Sequence, residues 1–244
     1  MEDKEIKQIV KEGYSNIAKH SGSCCSCQKQ SAEKIAKEIG YSEEELKIPG
    51  NLGLGCGNPL AMGKIKPGET VLDLGSGAGF DCFIASRKVG PKGKVIGIDM
   101  TEDMIKKAKE NAKNNGYKNV QFILAEIDKI PLENNSIDVI ISNCVINLTP
   151  DKLKVFKEAF RVLKPNGRMY LSDIVLLAPL SEKQLSDKNL LCGCVAGAMQ
   201  KADYLDKISR AGFSVNILAE DKEISKKQYS GIALESLKLE AIKH

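Results

Sequence analysis

The spacing of apolar positions changes character near residue 69. Before it, residues 2–19 place Ile6, Ile9, Val10, Gly13 and Ile17 near one face at helical spacing, which predicts an amphipathic helix. A small, thiol-rich break follows (SGSCCSCQKQ), and a second helix is predicted over about Ala32–Ile39, stopping at Gly40. The stretch Ile48–Gly63 carries five glycines and two prolines and reads as a loop.

From Glu69 onward, short apolar runs alternate with helical stretches. TVLDL (70–74), KVIGID (94–99), VQFILA (120–125), IDVIIS (137–142) and RMYLSDI (168–174) read as strands. Helices are predicted from the glycine-rich turn to Val89, over Glu102–Asn115 and over Asp151–Leu163. Strand–helix alternation of this kind means right-handed βαβ units and a mostly parallel sheet. A loop with two cysteines (about 185–199), a helix (about 202–211) and two strands, FSVNILAE and GIALESLKLEAI, complete the chain. Those strands suit an antiparallel pair at the far edge of the same sheet. The expectation is therefore an α/β, Rossmann-like, mostly parallel seven-stranded sheet with helices on both faces. It divides into an N-terminal helical segment (1–67), a core (68–175) and a C-terminal cap that completes the sheet (176–244).

Composition narrows the function classes. The chain of 244 residues is 28% charged and 42% hydrophobic, with a net charge of +4, as expected of a soluble globular protein. Its basic residues are spread along the sequence, and aromatics are only 5% with no Trp, so nucleic-acid partners are not expected. No apolar run approaches the ~20 residues that span a bilayer, and no export signal is visible. The expectation is a cytoplasmic monomer without membrane contact. Eight cysteines against two histidines make sulfur, not imidazole, the expected ligand. A reducing compartment would keep the cysteines mainly as thiols.

The turn VLDLGSGAGF sets Asp73 and Gly75, Gly77 and Gly79 between a strand and a helix. Glycines there let backbone N–H groups approach a ligand closely. The spacing is G-x-G-x-G, not the G-x-G-x-x-G of dinucleotide sites. Asp99 ends the next strand, where a carboxylate can accept both ribose hydroxyls. This combination resembles class I S-adenosylmethionine-dependent methyltransferases over about residues 68–175. The resemblance implies that Asp73 and the loop Gly75, Ser76, Gly77 and Gly79 hold the methionine end of the cofactor. It further implies Asp99 on the ribose, Met100 and the Glu126–Ile127 turn beside the adenine, and Asn143 at the pocket.

Cysteines sharpen the resemblance. Cys56 lies in LGLGCGNP, Cys144 in SNCVINL after the fourth strand, and Cys194 in LLCGCVAGAM. Ligands of open α/β sheets bind outside the carboxyl ends of the strands, so Cys144 should face the cofactor. In their order, the pieces S-C-C, L-G-C-G-x-P, V-L-D-L-G-S-G-A-G, I-S-N-C-V-I-N-L and C-V-A-G-A-M resemble arsenite methyltransferases across nearly the whole chain. The resemblance implies that Cys144 and Cys194 are the core pair binding As(III), with Cys56 the third ligand. Cys24 or Cys25 would be the redox partner that reaches Cys56. A thiol reductant of thioredoxin or glutathione type would then restore the enzyme. Trivalent arsenic is soft and selects thiolates. Its lone pair can attack a sulfonium methyl directly, so no proton-abstracting base is needed.

Other readings attach to particular residues. Cys82 reads as a buried small hydrophobe, Cys192 as a spectator, and Cys27 as a spectator or spare thiol. Cys24 and Cys27 make a single C-x₂-C pair, without the second pair or histidines that a zinc site usually has. The alternatives at the level of function are a class I methyltransferase for another small-molecule oxygen or nitrogen acceptor, or a thiol-based metalloid-binding protein. The first lacks an evident base, and the second lacks a helix-turn-helix or a compact cysteine repeat.

Overall fold

The computed structural model describes residues 2–20, 32–229 and 231–244. Strands β1 (Thr70–Leu74), β2 (Lys94–Asp99), β3 (Val120–Leu124), β4 (Ile137–Asn143), β5 (Leu163–Leu176), β6 (Ser214–Asp221) and β7 (Leu234–Ile242) form one seven-stranded sheet in the order β3-β2-β1-β4-β5-β7-β6. The first five are parallel, and β7 is antiparallel to both β5 and β6. The central strands are apolar on both faces because both are covered: Val71, Leu72, Leu74, Ile98, Val139, Ile140 and Ile141 are fully buried. The edge pair reads as predicted.

Two helical layers sandwich the sheet. Helices α5 (Phe80–Val89) and α6 (Glu102–Asn114) bury Phe83, Val89, Ile105 and Ala108 on one face. On the other face α7 (Lys152–Val162) and α10 (Lys201–Arg210) bury Val155, Phe156, Tyr204 and Ile208. The N-terminal helix α1 (Asp3–His20) rests on α6, where Ile17 and Ala18 pack on the fully buried Met104. Short helices α2 (Ala32–Glu38), α3 (Glu43–Leu46) and α4 (Pro59–Met62) lead into β1, and α11 (Ile224–Gln228) joins the last two strands. Two segments read as loops contain helical turns. Pro59 opens α4 under an Asn58 cap. In the 185–199 segment, Asp187 caps α9 (Lys188–Cys192) after α8 (Glu182–Leu185). Among the described residues no helix is long and apolar enough to cross a membrane.

Near the C-terminus, Lys243 fixes the closing strand to the end of α7. Its Nζ donates to the carbonyls of Phe160 and Leu163 and to Asn135 Oδ1, each at 2.7 Å, and stands 4.6 Å over the Phe160 ring. Lys243→Met keeps the aliphatic stem but orphans these acceptors, so about 2 kcal/mol of stability should be lost. Urea unfolding with an unchanged m-value would read this as a lowered midpoint. An unshifted midpoint would show that the three bonds add nothing beyond solvation.

Candidate active site

The strand order reverses between β1 and β4, and a pocket opens at their carboxyl ends. Its wall includes Asp73, Gly75, Ser76, Gly77, Asp99, Met100, Glu126, Ile127 and Asn143, together with Cys144. Gly79, expected there, instead caps α5 in a left-handed conformation and is not on the wall. At Gly75 (φ +71°) a Cβ would also come within 2.5 Å of Val145, whereas at Gly77 (φ +51°) only the backbone handedness calls for glycine. The N–H groups of Gly75 and Ser76 donate to Ile98 O at 2.8 and 2.9 Å, which locks this turn onto β2.

Acidic groups dominate the polar chemistry. Both Asp99 oxygens already accept backbone bonds, from Gly77 N at 3.0 Å and Thr101 N at 2.8 Å. The carboxylate is thereby aimed, with a lone pair left on each oxygen for a hydroxyl donor. Asp73 is buried, and desolvation followed by the nearby Asp81 pushes its carboxyl well above the usual range. Burial raises Asp81 to about 6, against the bonds from Tyr41 and Asn143. Tyr41 donates to Asp81 Oδ1 at 2.6 Å. Ser76 Oγ is buried without a partner among the described residues. A pocket with paired buried carboxyls, an aimed diol acceptor and an unsatisfied hydroxyl fits a cation bearing a ribose. S-adenosylmethionine, with its sulfonium and ammonium, has that chemistry.

Three cysteines converge beside this pocket. Cys144 follows β4 directly, and its N–H donates to Ser172 O at 2.8 Å. It is joined to Cys56 by a disulfide with Cα atoms 5.9 Å apart, inside the range such bridges need. Cys194 Sγ lies 2.7 Å from Cys144 O. The sequence reading expected free thiols, and expected Cys56 to meet Cys24 or Cys25. In this structure Cys56 is bonded to Cys144, where the loop bearing it is held against the ends of β4 and β5. Cys24, Cys25 and Cys27 lie outside the described residues. With two sulfurs bonded to each other, no three His, Cys, Asp or Glu side chains among the described residues form a metal-binding group. Cys56 is not on the pocket wall itself, whereas Cys144 is.

Backbone conformation marks Cys144 and Cys194 as unusual. Their φ angles are +56° and +65°, and the other left-handed non-glycine residues described are Asn135 and Asn166. Asparagine tolerates this region; cysteine has no side chain suited to it. Cys194 occupies the position after the end of α9 where a helix normally has glycine. Its N–H bonds Leu191 O at 3.0 Å, and Val195 N bonds Leu190 O at 2.8 Å, completing that helix-ending motif. A sulfur therefore stands where the backbone favours glycine. Behind Cys194 lie the buried Lys152, Asp173 and Tyr204, with Tyr204 Oη donating to Asp173 Oδ2 at 2.6 Å. Desolvation brings Lys152 down to about 8 and Asp173 up to about 7.

Residues 65–212 match the model of a methyltransferase domain. An arsenite methyltransferase of Halobacterium salinarum is 43% identical over 234 residues, covering 89% of this chain and 60% of that protein. The human arsenite methyltransferase is 34% identical, covering 87% of this chain and 59% of that protein. The crystal structure of an arsenic(III) S-adenosylmethionine methyltransferase from Chlamydomonas reinhardtii superposes with a TM-score of 0.68 at 33% identity, covering 88% of this chain and 75% of that one. The chain belongs to the arsenite methyltransferase family. It spans about three fifths of the length of the curated relatives it matches.

Several residues of this family member's pocket escape a sequence reading. Helix α1 supplies Lys7, Val10 and Tyr14 to the wall, and Lys7 bonds Glu126 and Asp128 across it. Amphipathic spacing announced the helix but not what its apolar face covers. Asp81 lies in the first turn of α5, and only the fold brings Tyr41 and Asn143 to it. Cys82 is buried as expected, and its thiol also donates to Asp73 Oδ2 on β1 at 3.2 Å, a contact that the hydrophobe reading left out.

Two measurements follow. A cationic cofactor favours the ionised forms of Asp73 and Asp81, so binding should release protons while these carboxyls are still protonated. Affinity should therefore rise with pH, by up to about tenfold per unit for each proton released, as pH climbs towards about 6, where Asp81 titrates, with Asp73 extending the rise upward. Calorimetry in buffers of different ionisation enthalpy reads this, and a flat profile would contradict it. Second, Cys194→Gly should be about 1 kcal/mol more stable than Cys194→Ala, because alanine bears the left-handed penalty. Equal thermal midpoints would remove the strain argument.

Proposed function

We propose that this protein transfers the methyl group of S-adenosylmethionine to trivalent arsenic held by Cys144, Cys194 and Cys56. The reading rests on one juxtaposition: Cys144 lies on the pocket wall, bonded to Cys56, with the Cys194 sulfur at its carbonyl oxygen. When bound, S-adenosylmethionine supplies an electrophilic methyl on a sulfonium. Asp73 and the Gly75–Gly77 turn hold its amino-acid end, Asp99 takes the ribose hydroxyls, and Met100 with the Glu126–Ile127 turn flanks the base.

Arsenite enters the reduced enzyme, and each As–S bond forms as an As–O bond breaks, the thiol proton leaving with the hydroxide as water. The arsenic lone pair then forms the As–C bond while the S–CH₃ bond breaks. No base takes part, which suits a site with no histidine. Arsenic is left formally pentavalent, and two thiolates return it to the trivalent state by giving two electrons and forming a disulfide. An external thiol of thioredoxin or glutathione type reopens that disulfide by exchange. A Cys56–Cys144 bridge is one such oxidised form; Cys24 or Cys25 would receive the bridge from Cys56 in turn. The setting is a cytoplasmic monomer.

Arsenite accepts three thiolates, whereas a monomethylated species has room for two. Incubating the protein with arsenite, S-adenosylmethionine and a reductant should yield methylated arsenic on chromatography. Cys144→Ser and Cys194→Ser should abolish methylation of both substrates, while Cys56→Ser should stop arsenite methylation and keep that of monomethylarsenite. Tight cofactor binding without any methylated arsenic would overturn the proposal.

A further inference from the structure

Asn143, the last residue of β4, was expected to touch the cofactor. It lines the pocket, yet its carboxamide is committed to protein. Oδ1 accepts from Cys56 N at 3.2 Å. Nδ2 donates to Gly57 O at 2.7 Å and to Tyr41 Oη at 2.9 Å, which uses both of its hydrogens, and Asp81 Oδ2 stands further off at 3.4 Å. One side chain thus grips the loop backbone at Cys56 N and at Gly57 O.

The loop is shaped to this grip. A Cβ on Gly55 would come within 2.6 Å of Asn143 Nδ2, and one on Gly57 within 2.6 Å of Ser172 Oγ. Glycines flank Cys56 because the chain is pressed onto the ends of β4 and β5 there. Ser236 Oγ secures the far side, donating to Cys56 O at 2.8 Å. Asn143 is also covalently next to Cys144. The same residue therefore sets the position of one sulfur through its backbone and of the other through its side chain.

We propose that Asn143 is a positioning residue, whose carboxamide holds the Cys56 loop so that the Cys56 and Cys144 sulfurs meet at the cofactor pocket. Its value for methylation rests on the arsenic reading above; its effect on the two sulfurs does not. Tyr41 and Asp81 hold the amide in turn, so the grip on Cys56 is built into the wall of the cofactor site. Supporting groups of this kind typically change ligand affinity or activity by about 10–100-fold when removed.

The test uses the full chain with Asn143→Ala and Asn143→Asp. The second variant keeps the size and the acceptor for Cys56 N but loses the donors to Gly57 and Tyr41. Equilibration with glutathione redox buffers, followed by alkylation and peptide mass mapping, gives the effective concentration of the Cys56–Cys144 pair. Both variants should lower it by about tenfold or more, a clearly larger factor than the loss of S-adenosylhomocysteine affinity read by calorimetry. Circular dichroism identifies a variant that fails to fold, and the other then carries the comparison. A pair whose effective concentration is unchanged would overturn the proposal. An equal loss of pairing and of cofactor affinity would also overturn it, since that is general loosening of the pocket. In methyl-transfer assays the variants should lose arsenite turnover by about tenfold more than monomethylarsenite turnover, as Cys56 serves chiefly the first step. If no arsenic is methylated by the wild type while the pairing result holds, the arsenic reading fails and the positioning role stands.

Discussion

At the middle of the sheet, the carboxyl ends of β1 and β4 point into a gap, because the crossover from β1 goes to the α5 face and that from β4 to the α7 face. Backbone and side chains at these ends are not covered by their own crossover helices and find other partners. On the β1 side the partners are the Gly75–Gly77 turn, Asp73 and Asp99. On the β4 side they are the Cys56 loop and the segment bearing Cys194. Cofactor chemistry and thiol chemistry share one site because both occupy the same gap.

Within the gap, desolvation is the dominant electrostatic effect. Asp73 and Asp81 are buried close together with no cation against either, and both carboxyls are pushed up. Carboxyls raised in this way keep their protons to higher pH than free ones. A sulfonium ligand would offset the cost of ionising these groups. The thiol side follows a different rule. There the cost lies in the backbone, with Cys144 and Cys194 in a conformation of order 1–3 kcal/mol above relaxed geometry. Leu190, Leu191 and Ser172 hold that conformation through main-chain bonds.

How legible this was in the sequence depended on the range of the interactions. Strand and helix periodicity is local, and the apolar runs of TVLDL and KVIGID were enough to place β1 and β2. Glycine spacing with Asp99 at a strand end located the pocket, since these lie within one βαβ unit. The three cysteines were found as separate motifs. Their mutual bonding was not, because Cys56 and Cys144 are 88 residues apart and nothing in either motif encodes the loop that joins them. Asn143 was read as a pocket residue for the same reason: its bonds run to Cys56, Gly57 and Tyr41, all more than eighty residues earlier in the chain. Cys82 shows the limit in the other direction, where a correct burial reading hid a polar contact.

The claim on which the functional account turns is that reduced Cys56, Cys144 and Cys194 hold arsenic together at the pocket wall. Arsenic K-edge X-ray absorption on the reduced protein loaded with one equivalent of arsenite tests it directly, with Cys56→Ser as the comparison. The account predicts an all-sulfur first shell of three in the wild type, falling to two sulfurs and one oxygen in the variant. A shell of oxygen in the wild type, or an unchanged three-sulfur shell without Cys56, would contradict it.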